Sequence, residues 1–421
     1  MKKKDNSTPK REGVFFMKEI KIGIIGLGAR GSCLLKDVIL PQKAGTVTAV
    51  CDLYEDRAED ASKQVAASQG NTPRIYTDWR EVIADNDVNT VIITSSWDAH
   101  IDIAIAAMEA GKAVGMEVGG AYSIHECWQL VETWEKTQTP FMLLENCVFG
   151  RRELMVLHMV QQGLFGKVVH CSGGYHHDLR EEVAFGKEKR HYRLRNYIGR
   201  NCENYPTHEL GPIARVLNIN RGNRMLTISS VASCAEGLHD YIMKNKADDE
   251  QLTHTRFQQG DIVTSVIRCA NGETITLTLD TTLPRYYSRG FTVRGTNGMY
   301  EEATDSVFLD RDEDKKIEFD WRKRSAGNAE QYCETWEHPL WKEFIEEGVQ
   351  GSHDGMDWLE FKAFFDCLKN EKPMPVDVYD AASWMAVTAL SEASIAKGGA
   401  PVEFPDFTKG KWLQDCMNLQ D

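Results

Sequence analysis

The feature that most constrains this chain is the turn Gly26-Leu27-Gly28-Ala29-Arg30-Gly31, directly behind the β-branched run Ile20-Lys21-Ile22-Gly23-Ile24-Ile25. Strand, glycine-rich turn and helix in that order open a βαβ unit and bring backbone N–H groups and a helix N-terminus to a pyrophosphate. Gly26, Gly28 and Gly31 are the glycines of that cradle, and Arg30 with Gly31 is expected to contact the pyrophosphate. A second apolar run, Val47 to Cys51, ends in Asp52, about 20 residues beyond the turn, where a carboxylate accepts from an adenosine ribose and repels a 2′-phosphate. Leu53-Tyr54 offers no Arg to reverse that preference, so NAD is expected rather than NADP. A strand ending in a turn-favouring Asp would look the same alone. The agreement of strand, turn, helix and acid favours the dinucleotide.

From Ile20 to about Asn146, short apolar strands alternate with amphipathic helices, which predicts an α/β fold with a doubly wound parallel sheet. The strands fall at 20–25, 46–51, 90–94, 113–117 and 140–145, with helices at about 100–110 and 123–137. Ligands of such sheets sit outside the carboxyl ends of the strands. Trp97-Asp98-Ala99-His100, Glu117-Val118 and Glu145-Asn146 therefore share the crevice of the glycine turn. Beyond about residue 150 the pattern changes to a helix at 151–162 and strands at 167–175, 226–233, 261–269, 273–281 and 290–295. Asn271-Gly272 marks a two-residue hairpin between the middle pair. The expectation is an α+β domain with a large, mainly antiparallel open sheet, a solvated loop at 310–330, and helices at 354–369 and 380–397. The implied division is a flexible extension at 1–17, a dinucleotide domain at 18–147, a substrate domain at 148–400, and a tail at 401–421 that packs back on the body.

A chain of 421 residues with 42% hydrophobic content can bury a core in each of two domains. Its net charge of −14 opposes nucleic acid and anionic membranes as partners. No window reaches the length of a membrane span. The basic start Met1-Lys2-Lys3-Lys4-Asp5 is followed only by Gly13-Val14-Phe15-Phe16, too short for a signal peptide, and Met17 is an alternative start. As written the chain is expected in the cytoplasm, or outside it if a signal has been removed. The 11 cysteines are scattered singly, which fits neither a disulfide framework nor a zinc site.

Four polar clusters mark the second domain: Gly173-Gly174-Tyr175-His176-His177-Asp178, His191-Tyr192-Arg193-Leu194-Arg195, Asn204-Tyr205-Pro206-Thr207-His208, and Leu283-Pro284-Arg285-Tyr286-Tyr287-Ser288. Pro206 sets the backbone so that Tyr205 and His208 share one face of a helix beginning there. Any one of these residues could be structural, but together at sheet ends they suit a ligand covered in hydroxyls, such as a sugar. Adjacent histidines on a strand point to opposite faces, so His176 and His177 are read as binding no metal.

These residues are also similar to the glucose-fructose oxidoreductase and inositol dehydrogenase superfamily, and more closely to glycoside hydrolase family 109, the NAD-dependent α-N-acetylgalactosaminidases. The resemblance runs from about Ile20 to Trp412 and includes Trp97 to His100, Met142-Leu143-Leu144-Glu145-Asn146, Tyr205 to Pro212, Asn218 to Arg224 and Pro401 to Phe407. Superfamily dehydrogenases carry Glu-Lys-Pro, with Lys as acid/base, where this chain has Glu117-Val118-Gly119. The resemblance implies a glycosidase that oxidises sugar C3, eliminates the aglycone after loss of the C2 proton, adds water and reduces the ketone, with no net redox. It also implies catalytic roles for Tyr175, Tyr205, His208 and Glu145, although Glu145 at a strand end could equally be structural. Arg193, Tyr287, Pro206 and Thr207 join Tyr175, Tyr205 and His208 around the substrate, a glycan or small molecule bearing N-acetylgalactosamine. Asn146, Glu117, Val118 and the segment Trp97, Asp98, Ala99, His100 line the path to the nicotinamide. A sugar or polyol dehydrogenase is the alternative, and a non-catalytic NAD sensor a third reading. An uncovered sheet face suggests a homo-oligomer.

Overall fold

The computed structural model describes residues 19–310 and 327–413; the expected extension at 1–17, most of the loop at 310–330 and the end of the tail lie outside the described residues. Six parallel strands, β1 (Lys21–Ile25), β2 (Thr46–Cys51), β3 (Arg74–Tyr76), β4 (Thr90–Ile93), β5 (Ala113–Glu117) and β6 (Phe141–Leu144), pair in the order β3-β2-β1-β4-β5-β6. The order reverses between β1 and β4, which opens a crevice at their carboxyl ends. Strands β4, β5 and β6 are buried at every residue, as helices on both faces of a parallel sheet require. Edge strand β3 has no apolar run to announce it: Arg74 and Ile75 are exposed.

The second sheet comprises β7 (Val168–His176), β8 (Met225–Ala232), β9 (Ile262–Cys269), β10 (Thr274–Asp280), β11 (Thr292–Gly295), β12 (Gly298–Glu301), β13 (Ser306–Leu309) and β14 (Val402–Glu403). They pair in the order β13-β12-β11-β7-β10-β9-β8-β14, antiparallel except for the parallel neighbours β7 and β10. Gly272, at φ +97°, turns the β9–β10 hairpin, but residues 270–273 lie between the strands instead of the expected two. A Cys269–Glu273 backbone bond closes that wider loop.

The strands of this sheet alternate cleanly. Ile275, Leu277 and Leu279 of β10 lie on a buried pleat, while Thr274, Thr276 and Thr278 lie on the opposite one. Register carries the buried pleat through Cys171, Gly173 and Tyr175 of β7. Helices Thr207–Val216 and Val378–Ala396 pack on this sheet. The second of these helices is buried along most of its length because it also meets helix Ile124–Thr137 and β6, so it joins the two domains. No helix among the described residues is long and apolar enough to cross a membrane.

Candidate active site

The glycine turn is built as its spacing demands. Gly26 has φ +97°, and a Cβ there would lie 2.5 Å from backbone atoms of Thr94 and Ser95; one on Gly31 would lie 2.1 Å from the Gly26 carbonyl oxygen. Gly28 differs, because a Cβ there would meet only Arg57, at 3.7 Å. The open space it faces lies at the N-terminus of the helix beginning at Ala29, where a pyrophosphate needs room. Asp52 ties this turn to β2: Oδ2 accepts from the Leu27 N–H at 2.7 Å and Oδ1 from the Tyr54 N–H at 2.9 Å. Each carboxylate oxygen keeps a further lone pair for ribose hydroxyls. This donor set and this open cradle fit NAD.

Two expectations change here. No Arg adjoins Asp52 in sequence, but the first turn of helix Glu55–Gln69 folds Arg57 back until Nη1 is 3.8 Å from Asp52 Oδ2. The Arg30 guanidinium, expected at the pyrophosphate, is instead committed to carboxylates. Its Nε donates to Glu117 at 2.7 Å, and Nη1 and Nη2 donate to the two oxygens of Asp357 at 2.8 and 3.0 Å. Asp357 also receives Asn146 Nδ2 at 2.7 Å and Ser352 Oγ at 2.6 Å. Burial would raise the Asp357 carboxyl, but His353, Arg30 and their charges hold it far below the usual carboxylate range. Sequence offered no sign of this hub, because Asp357 lies on helix Met356–Asn370, far along the chain.

Around the crevice, Asp98 bridges the domains by accepting from Arg195 Nη2 at 2.5 Å. His100 is buried, donates from Nε2 to the Ser95 carbonyl at 2.9 Å, and is pushed by burial down to about 4, so it stays neutral. Ala99 packs half-buried beside it. Val118 is buried and has no proton to give; a Cβ on Gly119 would strike Trp97 at 2.6 Å.

Glu145 and His208 meet across the domain junction. Glu145 follows β6, accepts the Cys147 N–H at 3.0 Å and is fully buried. Its two oxygens accept from His208 Nδ1 at 2.8 and 3.0 Å. The helix carrying His208 can approach because Gly211 is small: a Cβ there would already lie 3.1 Å from Glu145 Cγ. Burial alone would raise the Glu145 carboxyl, but the charge and hydrogen bond of His208 outweigh it and hold it below its ordinary value.

The remaining residues of the four clusters close over this pair. Tyr175 and Tyr205 ring centres are 4.5 Å apart, Tyr205 and His208 4.9 Å, and Trp97 stacks on Tyr205 at 5.3 Å. Arg193, nearly buried, places its guanidinium 5.0 Å from both Trp97 and Tyr205, while its Nη1 has no hydrogen-bond partner. Pro206 and Thr207 are buried at the helix start, and Tyr287 is half-exposed at the rim. Burial pushes Tyr175 up to about 12 despite Arg193, so its hydroxyl keeps its proton and hydrogen-bonds to His177 Nδ1 at 3.0 Å. His177 was not singled out as a site residue; its ring also lies 5.2 Å from Tyr287. Among the described residues, Glu145, Cys147 and His208 are a group whose possible metal-donor atoms lie within 4.8 Å, but the carboxylate and imidazole already bond to each other.

A parallel sheet of this order with this glycine turn defines an NAD-binding Rossmann protein of the oxidoreductase type. Residues 20–144 match the oxidoreductase family with NAD-binding Rossmann fold, and residues 149–414 match the glycosyl hydrolase 109 C-terminal domain. The chain belongs to glycosyl hydrolase family 109. It is 38% identical to a glycosyl hydrolase family 109 protein of Stenotrophomonas maltophilia, over 94% of this chain and 91% of that one. It is 36% identical to the α-N-acetylgalactosaminidase of Tannerella forsythia, over 94% of this chain and 87% of that one. Levoglucosan dehydrogenase in complex with NADH and levoglucosan superimposes with a TM-score of 0.67 at 19% identity, over 92% of this chain and all (100%) of that chain. The apo scyllo-inositol dehydrogenase of Lactobacillus casei gives 0.65 at 15% identity, over 92% and 99%. These two likenesses establish the shared fold.

Proposed function

We propose that this enzyme hydrolyses terminal α-linked N-acetylgalactosamine, with NAD as a recycled catalyst and no net redox. The observation that carries the reading is the hydrogen-bonded pair of buried Glu145 and His208, beside Tyr175, Tyr205 and Arg193, in a crevice where the apolar Val118 offers no acid/base group. Gly26, Gly28, Gly31 and Asp52 would hold NAD, whose chemistry, when bound, would be reversible hydride acceptance from sugar C3.

His208, oriented through Nδ1 by Glu145, leaves Nε2 to accept a proton from the sugar. A ketone at C3 makes the C2 hydrogen acidic, so a base of ordinary strength removes it, and the aglycone departs from C1. Tyr175 and Tyr205, each held protonated by burial, donate to oxygens on which charge develops. Arg193, with an unspent N–H, holds a hydroxyl or the acetamido carbonyl, and Tyr287 closes the rim. The open face of the second sheet, where Val231, Val266 and Phe308 are exposed, is read as meeting a second copy, which sedimentation tests.

The experiment is hydrolysis of an aryl α-N-acetylgalactosaminide in D2O without added nucleotide. Aryl release with deuterium at C2 of the product and no accumulated NADH is expected. Stoichiometric NADH would move the assignment to a sugar dehydrogenase, and absence of aryl release would remove the substrate.

A further inference from the structure

The adenosine end of the cradle carries a contact that the reaction does not explain. There the loop 185–191 of the second domain reaches the first turn of helix Glu55–Gln69. Arg190 donates through Nη1 and Nη2 to the two oxygens of Asp56, each at 2.8 Å, and its guanidinium lies 4.5 Å over the Tyr54 ring. Arg57 grips from the other side. Its Nη2 donates to the carbonyls of Lys189 and Arg190 at 3.1 and 3.4 Å, and its guanidinium lies 4.9 Å over the same ring. Its Nη1 stands 3.8 Å from Asp52 and 3.7 Å from where a Cβ of Gly28 would be.

The loop is firm on its own side. Buried Lys246 donates to the Ala184 carbonyl at 3.2 Å and to Glu188 at 2.7 Å. The N–H groups of Lys189, Arg190 and His191 bond back to Phe185, Lys187 and Gly186. Arg190 itself is held at φ +51°, a left-handed conformation costly for any residue with a Cβ, so the loop accepts strain at the residue that makes the contact. Gly28 and Asp52 are the residues read as framing the pyrophosphate and adenosine ribose, and Arg57 adjoins both, so the contact lies beside the adenosine half of the cradle.

We propose that Arg190, Asp56, Tyr54 and Arg57 form a clasp across the two domains that retains the adenosine half of NAD between turnovers. The proposal rests on the recycled-catalyst reading above. A cofactor reduced and reoxidised within one turnover gains nothing by exchanging, whereas an ordinary dehydrogenase must release it in every cycle. Arg57 is on this view a cofactor-positioning residue.

The test uses the full chain loaded with NAD and diluted into an NAD-consuming enzyme, with release followed by tryptophan fluorescence. The Asp56 side chain is mostly exposed and that of Arg190 is 38% exposed, so Asp56→Arg and Arg190→Asp are expected to fold, which the melting temperature of each checks. Each single variant is expected to release NAD about three- to tenfold faster, from the loss of one bidentate pair and its ring contact. The double variant, which restores opposite charges, is expected to return towards the parent. Single variants that release at the parent rate, or a double variant no slower than the singles, would overturn the clasp while leaving the recycling reading intact. NADH accumulating once per turnover in the parent would overturn the recycling reading, and the clasp with it.

Discussion

Glu145→Gln removes one charge from the proposed acid/base pair and leaves its volume almost unchanged. The carboxylate is fully buried and receives His208 Nδ1 at 2.8 and 3.0 Å. The Cys147 N–H, 3.0 Å from Oε1, keeps an acceptor oxygen on that side, so the amide presents its oxygen to His208 and the imidazole keeps its tautomer. A hydrogen bond to a charged partner contributes roughly 1.5–3 kcal/mol and a neutral one roughly 0.5–1.5, so the pair loses about 1–2 kcal/mol. If His208 carries the proton in the transition state, the loss falls on the barrier and lowers kcat about five- to thirtyfold. His208→Ala removes the base itself and lowers kcat by about 10²–10⁴. The assay is steady-state hydrolysis of an aryl α-N-acetylgalactosaminide, with exchange at C2 followed in parallel and KM expected to stay within about threefold. The pair's contribution to stability has a definite sign. Because the folded carboxyl is held below its ordinary value, it is present above the unfolded value of about 4.3 and lost as pH falls through the folded one. A Gln variant with kcat within twofold of the parent, or with a raised KM alone, would refute the acid/base role and make Glu145 a structural cap.

Three further outcomes are expected. Gly28→Ala should keep the parent's melting temperature yet lose NAD affinity in calorimetry, because its Cβ meets only Arg57 at 3.7 Å; Gly26→Ala should lose both, because its Cβ strikes backbone at 2.5 Å. Arg30→Met should cost about 3–5 kcal/mol in urea unfolding, since it strands Glu117 and Asp357 without their shared cation. Burial raises Glu203 to about 8, so the folded parent holds an extra proton and its stability falls as pH rises from about 5 to 8; Glu203→Gln should melt progressively higher than the parent over that range.

The glycine turn, the acid at Asp52 and the long strands were legible in sequence because each rests on a local pattern: glycine spacing, strand-end chemistry and continuous apolar runs. The strands β3, β12 and β13 were not, since none carries the continuous, fully buried apolar run that marks β4 and β6 at the same length or nearly so. The four polar clusters were visible as composition, and folding brings most of them together as one ring-lined crevice. What sequence could not supply was partnership across distance. Arg30 meets Asp357, and Arg57 meets the loop at Lys189 and Arg190, only because helix Met356–Asn370 and the second domain return to the first. In both cases the residue types were plain and their partners were not.

Strand β7 carries two chemistries on one ribbon, with Tyr175 on the pleat that faces the crevice and His176 on the pleat that does not. Its pairing on both sides, parallel to β10 and antiparallel to β11, locks that phase. Losing or gaining one codon within 168–176 would therefore exchange the two side chains and silence the enzyme while sparing the hydrogen-bonded ladder. A change of length is therefore accommodated in the turns between strands and not within β7.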